Sequence, residues 1–187
     1  MDEIHEREQY FWDGNTLSGI ERVVEAHTSD DSSPPDRLDL DPCFLCTPTL
    51  ARQWTRGGKS ATLLDVDRRF SDVPGFCYFD LSHPESVWNS LRRRRFSIVV
   101  CDPPFFNLSL SQLRNAIRAI SQYEPQQPLL ISYLLRRENA FLEAFREFQL
   151  APTGITPHYP SLTPGPKNDI RFYGNLSPVC YTAYAQD

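Results

Sequence analysis

Short apolar runs alternate with helix-patterned stretches along most of this chain, and that rhythm leaves few folds open. Apolar runs at residues 43–46, 61–66, 76–79, 96–101 and 128–133 have the length of strands. Residues 49–54 read as a helix ended by Gly57 and Gly58, and residues 84–93 as another. Residues 109–123 form an amphipathic pattern through Leu110, Leu113, Ile117 and Ile120, and residues 138–148 a further one through Phe141, Phe145 and Phe148. Strands alternating with helices build a mostly parallel, doubly wound α/β sheet. The last two apolar runs, at 154–158 and 170–173, have only a Pro/Gly loop between them and imply an antiparallel edge hairpin.

Residues 1–40 read as an appendage to the main domain at residues 41–187. Its first 27 residues are expected to be mainly helical, with Tyr10, Phe11 and Trp12 and then Leu17, Ile20, Val23 and Val24 as apolar positions. The three aromatics read first as packing and, more sharply, as a lid over a ligand. A polar, Pro-rich linker follows at residues 28–36. At 40% hydrophobic residues the chain can build a core, and no run approaches the roughly 20 apolar residues of a bilayer span. Met1 leads into an acidic, polar segment unlike a secretory signal. The expected location is intracellular, cytoplasmic or nuclear/nucleolar, with no membrane partner.

Five cysteines, two of them inside apolar runs, read as reduced, buried thiols. Cys43 and Cys46 form a C-x-x-C, but no second pair completes a ligand set, so no metal is expected. The net charge of −5 is unlike that of a dedicated nucleic-acid binder. Arg makes up 17 of the 19 basic residues, and the run at 92–95 is the leading candidate for a phosphate contact. A solvated surface between helix and strand is the ordinary and leading explanation of that run.

In doubly wound sheets ligands sit at the carboxyl ends of strands, so the residues there carry the chemical reading. Asp65 closes the second strand, where an acid can accept both hydroxyls of a nucleoside ribose; an ion pair to Arg68 or Arg69 is the ordinary alternative. Asp80 closes the third, suited to an exocyclic amine or to a plain turn. The fourth ends in Cys101-Asp102-Pro103-Pro104-Phe105-Phe106. Two prolines remove two backbone donors and stiffen the turn, so Asp102 and the carbonyls around it offer acceptors only. That suits a nitrogen carrying two hydrogens, with Phe105, and beside it Phe106, as an apolar face for a planar base.

Asp-Pro-Pro-Phe after a fourth strand resembles the motif of class I, S-adenosylmethionine-dependent methyltransferases that act on exocyclic amines. The segments at 9–12, 46–49, 63–70, 78–80 and 170–175 fall in the order of one eukaryotic family of N6-adenine methyltransferases. That family includes the zinc-knuckle ribosomal-RNA adenine methyltransferase and the elongation factor 1-alpha lysine methyltransferases. The 63–70 and 170–175 blocks look closer to the RNA enzyme. The resemblance implies a Rossmann-like class I methyltransferase with S-adenosylmethionine as cofactor. Asp102, Pro103, Pro104 and Phe105 would be its catalytic motif, and Phe105 and Phe106 its substrate contacts. Asp65 and Asp80 would hold the cofactor's ribose and adenine, with Thr47 near its methionine end and Asp102 bordering it. The flanking zinc modules of the RNA enzyme have no counterpart in this sequence, which leaves the mode of RNA capture open, an accessory nucleic-acid-binding subunit being one route. Cys46-Thr47-Pro48 stands where the fold usually has a glycine-rich loop.

The expected reaction is methyl transfer to adenine N6, in RNA ahead of DNA. Two alternatives stay open: a protein lysine methyltransferase acting on a basic translation factor, and an inactive methyltransferase-like partner subunit.

Overall fold

The computed structural model describes residues 3, 4, 6, 9–29, 40–87, 91 and 94–185. The linker beyond residue 29, and Arg92 and Arg93, lie outside the described residues. Helix α1 (Gly14–Thr28) is followed by β1 (Cys43–Leu45), α2 (Pro48–Arg56), β2 (Thr62–Asp65), β3 (Phe76–Tyr78) and β4 (Val99–Cys101). Then come α3 (Leu110–Ile120), β5 (Leu129–Leu134), α4 (Glu138–Ala144), β6 (Ala151–Pro152), β7 (Ile170–Gly174) and α5 (Pro178–Thr182). One sheet carries the order β3-β2-β1-β4-β5-β7-β6, parallel except for β7, which runs antiparallel to both neighbours. This is the Rossmann-like arrangement, with the antiparallel edge that the helix-free last pair of apolar runs implies. Among the described residues no helix is long and apolar enough to cross a membrane.

The strand order turns back between β1 and β4, because β1 leads outward to β2 and β3 while β4 leads the other way to β5. Right-handed crossovers then place α2 on one face and α3 on the other. Each helix has a local cause. Ser109 and Gln112 form a reciprocal capping box at the start of α3, and Pro48 occupies the first turn of α2, where its missing N–H costs nothing. Leu113, Ala116, Ile117 and Ile120 form the buried stripe of α3, as the sequence period requires. β1, β2, β4 and β5 are buried along their whole length, which explains their unbroken apolar runs. Gly75 enters β3 at φ +80°, and a Cβ there would meet the Ala61 carbonyl oxygen at 2.0 Å, so no other residue fits.

Several expectations need correction. Residues 9–13 are not helical: Gln9 forms an isolated bridge with Ile4, and residues 10–13 have no regular structure. Trp12 is buried edge-on to Phe172 with centroids 5.3 Å apart, the Asp13 amide donates to the His158 carbonyl at 3.0 Å, and α1 begins only after Asp13 caps it. Residues 154–158 are not a strand; the edge strand is β6, and Pro157, Pro160, Pro164 and Pro166 deny the following loop its ladder donors. Of the helix expected at 84–93, Pro84–Val87 form a 3-10 turn and Leu91 is helical, while residues 88–90, 92 and 93 lie outside the described residues. The 138–148 helix is α4 plus a 3-10 turn, Arg146–Phe148, closed by Gln149 at φ 55°. Helix α5 has no precedent in the periodicity; it packs on α1, and Arg22 binds the Ala183 and Tyr184 carbonyls beyond it.

Candidate active site

A cavity of about 380 Å3 opens at the carboxyl ends of β1, β2, β3 and β4, beside the turning point of the strand order. Its size and place are those of a nucleotide-sized ligand site in this architecture. Glu6, Asp65, Asp80 and Asp102 line it, with Val66, Phe79 and Leu81 between the acids and Gln9, Tyr10 and Phe11 along another wall. Among the described residues no Lys, Arg or His lines it.

The Asp-Pro-Pro corner follows β4, whose pairing places it between β1 and β5. The Asp102 amide donates to the Leu45 carbonyl at 3.2 Å, which ties the corner to β1. Its carboxylate Oδ1 accepts from the Tyr159 hydroxyl at 2.7 Å and from the Ser132 hydroxyl of β5. Neither Oδ2 nor the Pro103 carbonyl accepts a hydrogen bond from a described residue. Burial pushes the Asp102 carboxyl up to about 7, against the Ser132 and Tyr159 hydrogen bonds, which hold it down. The Trp12 indole N–H, without a hydrogen-bond partner of its own, lies beside the carboxylate and also favours its charged form. Burial, and then the neighbouring Asp102, raise the Tyr159 phenol well above its ordinary value, so it stays a donor.

Phe105 departs from the expected role of an open stacking face. It is 5% exposed and meets Tyr133 edge-on at 5.9 Å, and Tyr133 stacks on Phe141 at 4.7 Å. This aromatic column anchors the corner in the core. The ring open to solvent is Phe106, 58% exposed, with the Arg136 guanidinium 5.4 Å from its centroid.

Asp65 ends β2 and lines the cavity, with Oδ1 accepting the Asp67 amide at 2.8 Å. Asp67, two residues on, is turned away from ligand duty. Burial acts upward on it, but the bonds from Arg69 and Gln9 prevail and bring it to about 2. Asp80 also lines the cavity; burial acts upward there too, and the Ser82 amide and His83 hold it below the usual carboxylate range. Thr47 lies between the lining residues Cys46 and Pro48 but is itself 3% exposed, its hydroxyl buried without a partner at the start of α2. Cys46, in the turn that replaces a glycine-rich loop, sits at φ 56°. A non-glycine residue in that region is strained, and such strain gathers at ligand sites.

The structure thus brings Asp65, Asp80, Asp102 and Pro104 to one cavity, while Pro103 and Phe105 are buried and outside its lining. Sequence reading missed Tyr159 and Ser132, 57 and 30 residues from their partner, and no local pattern could have paired them. Of the Arg92–Arg95 run, Arg94 and Arg95 precede β4, and Arg94 reaches Thr62 at the start of β2. Both belong to the amino ends of the strands, across the sheet from Asp102.

These residues fit S-adenosylmethionine. Acids at the ends of β2 and β3 suit hydroxyl and amine donors, Val66 (37% exposed) and Leu81 suit a purine face, and charged groups that are all acidic among the described lining residues suit a cationic sulfonium. The free N–H groups at the start of α2 suit a carboxylate.

No curated protein matches the chain. Among solved structures it is similar to the Methanococcus jannaschii fibrillarin pre-rRNA processing protein, at 11% identity over 88% of this chain and 76% of that one, with a TM-score of 0.49. The model of the family described as Probable N6-adenine methyltransferase matches residues 3–186, and the chain belongs to that family.

Proposed function

We propose that the chain is an S-adenosylmethionine-dependent N-methyltransferase that acts on adenine N6 in nucleic acid, RNA ahead of DNA. The observation that carries this reading is the Asp-Pro-Pro corner, which brings Asp102 and Pro104 to the cavity that Asp65 and Asp80 line. When bound, the cofactor supplies an activated methyl group on a sulfonium. Asp65 and Asp80 hold its nucleoside end at the ends of β2 and β3, and Thr47 and Cys46 border its amino-acid end.

An adenine amine is a poor nucleophile because its lone pair is delocalised into the ring. Asp102 Oδ2 and the Pro103 carbonyl accept its two hydrogens and favour a pyramidal nitrogen. Most of the rate gain is positioning and preorganised charge. Asp102 must be ionised to accept, and Tyr159 and Ser132 on Oδ1 stabilise that form. The same carboxylate, with a value near neutrality, can take the proton that the methylated nitrogen releases. An ε-ammonium fits less well, since a neighbouring carboxylate favours the charged form and opposes the deprotonation it needs.

The test is transfer of labelled methyl from the cofactor to structured RNA, DNA or extract protein, with Asp102→Ala alongside. Label lost to nuclease, with a loss of at least about 100-fold in the variant and retained cofactor binding, is expected. Full activity in the variant discards the mechanism, and label lost only to protease discards the nucleic-acid substrate.

A further inference from the structure

Two arginines follow β5 directly, on the side of the sheet where the Asp102 corner follows the adjacent β4. Arg136 is exposed and lies over the exposed Phe106 ring. Arg137 lies 5.7 Å from the Tyr133 centroid, and its Nη1 donates to the Phe105 carbonyl at 3.5 Å. Neither guanidinium is in an ion pair among the described residues, whereas Arg52, Arg69, Arg114, Arg118, Arg146 and Arg171 each face an acid.

Resting on the reading above, we infer that Arg136, Arg137 and Phe106 grip the strand flanking the acceptor base, and that the acceptor is therefore a single-stranded nucleic acid. The chemistry is that of strand-binding grooves: cations for the phosphates, and a solvent-facing ring on which a neighbouring base stacks. Arg suits this task because its planar group contacts phosphate in bidentate fashion and stacks on aromatics. Two unpaired positive charges beside the acceptor corner also repel a lysine-rich protein segment. The grip thus selects substrate class at the mouth of the site, and the Arg94–Arg95 pair at the opposite end of the sheet takes no part.

The experiment measures binding of a fluorescent, unstructured, adenine-containing oligoribonucleotide by anisotropy between 50 and 200 mM salt, with cofactor binding measured in parallel. Arg136→Glu is expected to weaken binding roughly tenfold or more. Arg136→Ala is expected to lower the slope of log affinity against log salt by about 0.7, the single-strand value per phosphate contact. Phe106→Ala is expected to cost at least about fivefold with the slope unchanged, since stacking carries no counterion release. Arg94→Ala should stay within about twofold. Both altered residues near Asp102 are exposed, so their variants should fold, and unchanged cofactor affinity checks this. Equal affinity of wild type and Arg136→Glu overturns the inference, as does oligonucleotide binding too weak to measure in a wild type that binds cofactor. A wild type that fails to bind cofactor overturns the methyltransferase reading instead.

Discussion

The carboxyl and amino ends of the sheet carry unlike cavities. The carboxyl-end cavity, about 380 Å3, holds a carboxyl raised to about 7 and a strained cysteine, and the Thr47 hydroxyl, buried without a partner, lies next to that cysteine in the chain. The groove of about 970 Å3 at the amino-end side of β5 is larger, yet its key polar group is fully engaged. There Asn175 accepts from the Leu129 amide at 2.7 Å and donates to the Gln127 and Phe148 carbonyls at 2.9 and 3.0 Å. Size does not mark the site. A groove whose polar groups satisfy one another serves the fold, whereas a cavity that leaves charge and hydrogen-bonding capacity unmet is prepared for a ligand.

The sharpest way to break this contrast is Asp102→Asn. Its carboxyl is raised from 3.8 to about 7 on folding, so the native state holds the proton more tightly. Ionisation therefore weakens the fold progressively as pH rises from about 4 through about 7, and the full cost remains above that. Denaturant unfolding should find Asp102→Asn more stable than wild type by several kcal/mol at pH 8, at about 1.4 kcal/mol per pKa unit, and equal to it below pH 4. A constant difference across that range would mean that Asp102 is not held near neutrality.

Asn175→Ala makes the converse case. It orphans up to three backbone groups and should cost about 3 kcal/mol of stability, with cofactor affinity unchanged in the folded fraction. A matching loss of cofactor affinity would erase the distinction between the two ends. The smallest expected effect belongs to Tyr159→Phe, which removes one donor from Asp102 Oδ1. The acid limb of the pH–rate profile should move to higher pH, with about a fivefold loss at pH 7 that recovers at pH 9. A loss independent of pH would assign Tyr159 a packing role alone.

Much of the fold was legible in the sequence because β1, β2, β4 and β5 are buried on both faces and so appear as unbroken apolar runs. The long amphipathic stripe of α3 was equally plain. Weaker local signals misled. Residues 9–13 look helical but form no helix where Trp12 packs on Phe172, and the 154–158 run is apolar yet is not a strand. Within the site, Asp65, Asp80 and Asp102 stood out because each ends a strand. Phe105 and Phe106 could not be told apart, since adjacent aromatics on an irregular turn give no period from which to infer which ring faces inward.

The alternation of apolar runs and helices, and the acid-proline-proline turn after β4, were fixed by the order of residues alone, because short-range sterics and strand burial act on neighbours. The setting of Asp102 was decided only on folding. Tyr159 reaches it from a loop docked on the start of α1, Ser132 from the adjoining strand and Trp12 from the segment before α1. A carboxyl's affinity for its proton depends on the charges, donors and solvent that surround it in space, and those arrive from parts of the chain that have no proximity until the sheet is assembled.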